Sequence, residues 1–513
     1  KYEEGIQMKL EKTYTYLLAF SMLCIILMVL GIFTIVAMNG LPYFWLKNVA
    51  KVEMTDGKLY YGEIAGANPK AENGSETKLK VGNRKIYGQD FLWIKDSEIK
   101  SVSYPKEIIM LERDEWGNAY GIISDISGKE FDDIHSSVME EKKVILGIEK
   151  GRLLSINEEI SKINHKITKK GEAGLEDKLG KLQNESAVIE TDLNSKREQA
   201  LSKTFILTLA DGQTDEMKYY DIVKKYQPND VSLPGKIWIS VKRFFEFIFA
   251  DPRESNTEGG IFPAIFGTVI LVILMSIFVF PLGVIAAVFL SEYAKEGFLV
   301  KLIRNTIYNL AGVPSIVYGV FGLGFFVYAM GGSIDRIFFS DYLPSPTFGT
   351  GGIIWGALTL AVLTLPVVIV ASLEGLKSVP HMYREGSYSL GSTKWEVIKD
   401  VVIPNAMPGM LTGLILAISR AAGEVAPLMM TGVVKSAVAL PFDLSFPFIH
   451  LDRKFMHLGF HIYDVGFQSP NIEAARGVVF NTTLILLIIV FALNLTAILI
   501  RNRIRNKLSR SGV

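Results

Sequence analysis

Two ionisable residues interrupt an otherwise apolar run. Arg420 and Glu424 lie within Ser419-Arg420-Ala421-Ala422-Gly423-Glu424-Val425-Ala426-Pro427-Leu428, inside the stretch Met407–Thr431, which is long enough to cross a bilayer. An ionised arginine at mid-membrane costs about 2.5–3.5 kcal/mol on the insertion scale, so such a side chain is kept off lipid, facing a cavity or a partner. A guanidinium is a planar fork of donors that matches the oxygens of a phosphate-like anion. Four residues on, Glu424 falls on the same face of a helix. There it holds the guanidinium in place or accepts from a protonated anion oxygen. The residues admit two readings, a contact or gate for an anion and a self-satisfied structural ion pair.

A second constellation is built for contact. Glu385-Gly386-Ser387-Tyr388-Ser389-Leu390-Gly391 is followed by Ser392–Asp400 and then by Val401-Val402-Ile403-Pro404. Small residues let a short helix seat closely in a groove. Gly391 suits a sharp turn, because it tolerates positive φ without a Cβ clash. Pro404 is expected to restart the next helix, and Lys394 and Trp395 are candidates to touch a partner. A plain connection between two spans needs only a few residues, whereas this one occupies residues 374–404.

Both constellations need a membrane scaffold. A spanning helix takes about 20 predominantly apolar residues, and six stretches qualify: Tyr16–Met38, Ile261–Leu290, Ile303–Met330, Gly351–Leu373, Met407–Thr431 and Val478–Arg501. The first is too long for a secretory h-region, and Met38-Asn39-Gly40-Leu41-Pro42 is not a small-residue cleavage site, so it reads as a retained helix. Basic residues favour the cytoplasmic side of short loops. Lys1, Lys9 and Lys12, together with Arg501, Arg503, Arg505 and Lys507, put both termini inside. The same rule puts Lys295–Arg304 and Lys377–Lys399 in the cytoplasm and the long segment after the first helix outside. The expected class is an α-helical polytopic membrane protein. Its zones are residues 1–40, with a tail and one span; 41–260, an extracytoplasmic insert; and 261–513, a five-helix block.

The insert has two textures. Lys51–Ile126 reads as short strands, with Asp56-Gly57 and later Asp211-Gly212 as hairpin dipeptides. Met139, Leu146, Leu153, Ile156, Ile160, Ile163 and Ile167 then follow steps of three and four, or of seven. Leu175, Leu179, Leu182, Ile189 and Leu193 continue the pattern beyond Gly171-Glu172-Ala173-Gly174. A narrow apolar seam among charges predicts an antiparallel coiled-coil hairpin over about 138–203, the alternative being a plain helical pair packed on the β part. Thr204–Leu209 returns to strand, and no catalytic spacing appears in the insert.

The 385–404 segment resembles the EAA loop of ATP-binding-cassette importer permeases, with Gly386 and Ser387 where that pattern usually has alanines. Four further segments sharpen the likeness: Asn256–Gly260, Ala311-Gly312-Val313-Pro314-Ser315-Ile316-Val317-Tyr318-Gly319, Thr364–Ile369 and Ser419–Leu428. Together they are similar to phosphate permeases of the PstA type, over roughly Arg253 to Arg501. The resemblance implies the six-helix type I importer fold. It implies Glu385, Gly386, Ser387, Gly391 and Pro404 as an ATPase-coupling loop, and Arg420 and Glu424 on the path of inorganic phosphate. It implies as partners two ATP-binding subunits, a second permease and an extracytoplasmic phosphate-binding protein. Relatives can carry another arginine where this chain has Val370, so the second permease is left to supply further positive charge.

Composition sets limits on other functions. The formal net charge of +1 over 513 residues gives no sign of a nucleic-acid partner. The single cysteine, Cys24, allows no intrachain disulfide, and the six histidines show no metal-ligand spacing. Lacking a Gly-rich loop ending in Gly-Lys-Ser/Thr, the chain needs its ATP hydrolysed by other subunits. No cofactor is expected. Gly319, Gly322 and Gly324, like Gly409 and Gly413, suggest close helix contacts. Other readings are a permease for sulfate or molybdate and a membrane-anchored sensor or scaffold.

Overall fold

A computed structural model describes residues 2–71, 74–170, 173–437, 439–442, 448–469 and 471–510. Lys1, Gly171 and Glu172 lie outside the described residues. The chain divides into two compact units, one of Lys1–Tyr43, Ile261–Ile334 and Phe348–Val513, the other of Phe44–Gly260 and Asp335–Thr347. The second unit takes in Asp335–Thr347, which the sequence reading left with the helical block. The first unit opens with α1 (Tyr2–Gly40).

Among the described residues of the inserted unit, ten strands form two five-stranded antiparallel sheets. The first contains β1 (Val49–Met54), β2 (Leu59–Ala71), β3 (Gly74–Lys80), β4 (Phe91–Lys95) and β5 (Ile99–Ser103), in the order β4-β3-β2-β1-β5. The second contains β6 (Ile109–Arg113), β7 (Ala119–Ile123), β8 (Thr204–Thr208), β9 (Thr214–Lys218) and β10 (Ile222–Tyr226), in the order β10-β6-β7-β8-β9. Asp56-Gly57 turns β1 into β2, and Asp211-Gly212 turns β8 into β9. Between the neighbours β7 and β8 rises a helical hairpin: α2 (Gly128–Ile148) and α3 (Leu154–Lys170) form one arm, α4 (Glu176–Ser202) the other. Arg152–Glu185, Lys178–Glu159 and Arg197–Glu149 link the arms. These pairs are exposed enough to contribute little each.

The hairpin seam differs from the expected one in its first turns. Val138 and Ile145 are fully buried whereas Leu146 is exposed; beyond the break, Ile156 and Ile163 are buried. A π-helical stretch, Glu149–Leu153, separates the two phases. Moving from the 138/145 series to the 156/163 series skips four residues of a strict heptad, a stutter that the wider turn absorbs. The unit closes with α5 (Leu233–Phe249).

The helical block follows: α6 (Phe262–Val288), α7 (Phe298–Leu310), α8 (Ser315–Phe321), α9 (Ile353–Lys377), α10 (His381–Ser389), α11 (Ile403–Ala421), α12 (Ala426–Thr431), α13 (Leu458–Tyr463) and α14 (Ile472–Arg510). Among the described residues six helical segments are long and apolar enough to span a membrane: Tyr14–Tyr43, Phe262–Tyr293, Ser315–Phe338, Ile353–Lys377, Lys394–Ala421 and Ile472–Lys507. The fourth is largely buried and the first and last largely exposed, so α9 is the axis of the block. Leu271 and Met275 of α6, Leu360 and Leu363 of α9, and Ala417 and Ala421 of α11 share one core. α9 and α11 meet at glycines: a Cβ on Gly409 would lie 2.7 Å from the Cα of Gly375. Gly319 and Gly322 are likewise packed too tightly for a side chain, but Gly324 faces open space.

Two spans depart from the sequence reading. The third begins at Ser315, not at Ile303, because Pro314 ends the preceding turn and α7 is a separate helix with no fully buried residue. The fifth starts earlier, at Lys394, and breaks after Ala421, where the reading ran on to Thr431.

Candidate functional site

The contact loop is built from local rules. Gly391 sits at φ +88° just past α10. The amide of Ser392 donates to the carbonyl of Ser387 (3.2 Å) and that of Gly391 to the carbonyl of Tyr388 (2.9 Å). This paired closure is the Schellman arrangement, which needs a residue at ease in the left-handed region. Two residues later Thr393 caps the next helix in a reciprocal box with Glu396. The chain therefore reverses over 390–393 with all four amides bonded.

What this turn presents is open. Glu385, Gly386 and Gly391 are exposed, and Ser387 is half-buried. A Cβ on Gly386 or Gly391 would meet nothing within 4 Å. Met382 is 78% exposed, Leu390 89% and Trp395 58%. Apolar side chains this uncovered on a defined short helix mark a contact surface.

The rear of the loop is clamped. Arg384 donates to the carbonyls of Val379 (2.7 Å) and Leu376 (3.0 Å) and to Glu292 Oε1 (3.0 Å). Both charged side chains are about one-seventh exposed, at 14% and 13%. Lys394 reaches the carbonyl of Glu292 and lies 4.7 Å from the centre of the Tyr293 ring. Below them Val397, Ile398 and Val402 pack with Leu373, Leu376 and Leu290. The loop is thus fixed to the ends of the second and fourth spans while its far side is left uncovered.

The pair of Arg420 and Glu424 sits at the helix break. α11 ends at Ala421, and the amides of Gly423 and Glu424 donate to the carbonyls of Arg420 and Ala421 (3.2 Å each). Arg420 Nε approaches Glu424 Oε1 at 3.4 Å, with the two side chains 32% and 19% exposed. No described residue accepts from the two Nη atoms of Arg420. Around the break, Ser419 donates to Asn494 of α14 (2.9 Å), and Tyr318 lies within electrostatic reach of Arg420. A Cβ on Gly319 would fall 2.8 Å from the Cα of Pro427, so α8 presses directly on α12.

Comparison with known proteins decides the class. Residues 279–510 match the family described as binding-protein-dependent transport system inner membrane component. The probable ABC transporter permease protein YqgI of Bacillus subtilis is 32% identical over 270 residues, which is 52% of this chain and 85% of that protein. The chain belongs to that family. The phosphate transport system permease protein PstA 1 of Mycobacterium tuberculosis is 33% identical over 244 residues, 47% of this chain and 71% of its own. A chain of the inward facing MetNI methionine ABC transporter aligns with 47% of this chain and 94% of its own, at 15% identity and a TM-score of 0.35. That last likeness is too slight to bear on the argument.

The permease places its sequence-predicted residues with two corrections. Pro404 does not restart a helix. Thr393 does so, and Pro404 sits inside a helix running from Lys394 to Ala421, after a π-helical stretch at Val397–Val402. A proline lacks the amide a regular α-turn would use, and a locally widened turn accommodates that loss. Lys394 folds back onto Glu292 and Tyr293 but stays exposed, as does Trp395. Arg420 and Glu424 do meet, but across a turn and not along one helix face. Val370 is half-buried within α9. Sequence reasoning missed Arg384 and Glu292. The signal was faint: a basic residue directly before Glu385, and an acid ending the second apolar run, 92 positions apart.

Proposed function

We propose that this permease subunit carries inorganic phosphate across the cytoplasmic membrane as one half of a heterodimeric membrane core. Two ATP-binding subunits drive it, and an extracytoplasmic phosphate-binding protein delivers its cargo. The observation that carries the reading is the state of Arg420. Its guanidinium is steered at Nε by Glu424 and leaves both Nη groups without an acceptor among the described residues, in a position about one-third exposed at a helix break. A pair serving only structure would close its fork on the carboxylate; an open fork suits the paired oxygens of an oxyanion. Relatives at this level of identity named as phosphate permeases support the choice of anion. Glu424 adds discrimination. A carboxylate accepts from the P–OH of hydrogenphosphate, whereas sulfate has no proton to offer and meets repulsion.

Coupling follows from the loop. The uncovered face of α10, with Glu385, Gly386, Ser387 and Gly391, seats in a groove of an ATPase subunit, and the Arg384 clamp passes that movement to the second and fourth spans. Both termini and this loop lie in the cytoplasm, and the inserted unit lies outside. Transport alternates access by rocking of helices about the break.

Uptake assays on the assembled complex test the reading. Arg420→Gln abolishes phosphate uptake without loss of assembly. Arg420→Lys keeps part of it, because an ammonium lacks the bidentate fork. The double change Arg420→Leu with Glu424→Leu removes both charges and leaves nothing stranded; it yields an assembled, transport-dead complex. Substantial uptake by that double variant, or equal competition by sulfate and molybdate in the native protein, refutes the proposal.

A further inference from the structure

The last helix of the inserted unit, α5, is apolar on both sides. One side faces its own unit. Phe247 is buried there, and Phe244 and Phe247 pack edge-on against Phe44, with ring centres 5.3 and 5.5 Å apart. The other side carries Leu233, Ile237, Val241, Phe245 and Phe249 at strict four-residue steps, 68%, 55%, 42%, 53% and 67% exposed, with Trp238 beside them at 70%. An apolar face is favoured in an apolar surrounding, yet no described residue of the inserted unit covers this stripe.

Chain connectivity says what lies next to it. Phe44, the residue α5 packs on, directly follows Tyr43, the last residue of the first span. From Phe249 the chain has thirteen residues to Phe262, where the second span begins, a tether of at most about 45 Å. α5 is thus held by side-chain packing to one membrane exit and by a short connection to the next entry. Its flank has the composition of a membrane–water boundary. Leu233 shares an open hollow of about 380 Å³ with Trp45, Tyr104 and Lys47, and Lys242 is exposed beside the stripe. Aromatic rings with an apolar body and a polar edge gather at headgroup level, and lysines there meet lipid phosphates.

We infer that α5 is an interfacial helix that lies in the bilayer surface, its Leu233–Phe249 stripe sunk to the boundary between headgroups and acyl chains. Burying that stripe requires a depth of about 5–10 Å. The inserted unit then rests on the membrane along one helix, in addition to being tethered by its two chain crossings. The inference is independent of which anion the permease carries.

Site-directed spin labelling of the full chain decides it. Cys24→Ser removes the native thiol, and Trp238→Cys, Phe245→Cys or, as a control, Val188→Cys introduces a single label site. All three positions are exposed, at 70%, 53% and 69%, so the core is undisturbed. The protein is reconstituted in vesicles of phosphatidylethanolamine and phosphatidylglycerol. Collisions are measured with oxygen, which concentrates in acyl chains, and with a water-soluble nickel chelate. Labels at 238 and 245 should collide several-fold more with oxygen than with nickel, and the label at 188 should show the reverse. Nickel access at 238 and 245 equal to that at 188 means that water covers the stripe. Exclusion of both reagents means that protein covers it. Either result overturns the inference.

Discussion

Replacing Arg384 by methionine keeps the length of the side chain and removes the clamp behind the loop proposed to couple the permease to its ATPase. The guanidinium makes three hydrogen bonds, to Val379, Leu376 and Glu292, and both partners of the ion pair are only about one-seventh exposed. Breaking a buried pair by deleting one partner costs about 3–5 kcal/mol; with this residual exposure the lower end applies, about 3 kcal/mol. The loss is local, since Val397, Ile398 and Val402 still anchor the following helix. At 1.4 kcal/mol per tenfold, the detached population of residues 381–392 should rise roughly 100-fold. Amide exchange in the assembled transporter reads this directly, because the amides of Leu390, Gly391 and Ser392 are bonded only within the loop. Their protection should fall, and substrate-stimulated ATP hydrolysis should fall with it while basal hydrolysis continues. Arg384→Met with Glu292→Met strands no charge, and protection should largely return. Unchanged exchange in the single variant would refute the claim that this pair positions the loop.

Three further outcomes are expected. Gly391→Val places a β-branched residue at φ +88°, costing about 1–2 kcal/mol in the turn, and adds bulk on the face proposed to meet an ATPase; uptake and stimulated ATP hydrolysis should drop together while the protein still reaches the membrane, and normal uptake would dismiss the coupling assignment. Protease added outside spheroplasts should cut within residues 51–203 and spare the loop at 377–399, and cleavage of the loop from outside would reverse the orientation. Burial holds His457 and His461 neutral, pushed down to about 4 from the usual 6.5. The unfolded chain therefore takes up protons first as pH falls below 6.5, and stability drops until pH 4, by about 2 kcal/mol per histidine at pH 5. Thermal unfolding in detergent should show this slope, and His457→Gln should flatten it; a midpoint independent of pH between 7 and 5 would contradict it.

Sequence alone determined whatever depends on neighbours along the chain. Six apolar stretches exist because crossing a hydrocarbon layer demands some twenty consecutive apolar residues, and their number is legible without coordinates. The turn at Gly391 and the hairpin dipeptides at Asp56-Gly57 and Asp211-Gly212 were legible for the same reason, since their geometry is set by the residues themselves. Local rules failed where two of them competed. Pro404 signals a helix start, but Thr393 and Glu396 cap the helix eleven residues earlier, and a widened turn absorbs the proline. The hairpin seam was read one residue late before Glu149–Leu153, because a π-turn shifts phase without leaving a mark in composition. Only tertiary structure could decide the pairings. Arg384 meets Glu292 across 92 positions, and Arg420 meets Glu424 over a break in α11 and not along its face. The outward stripe of α5 has the same apolar spacing as an ordinary core helix. Its exposure became visible only once the sheets had formed and Phe44 had taken the other side, because periodicity records that a face is apolar and not what covers it.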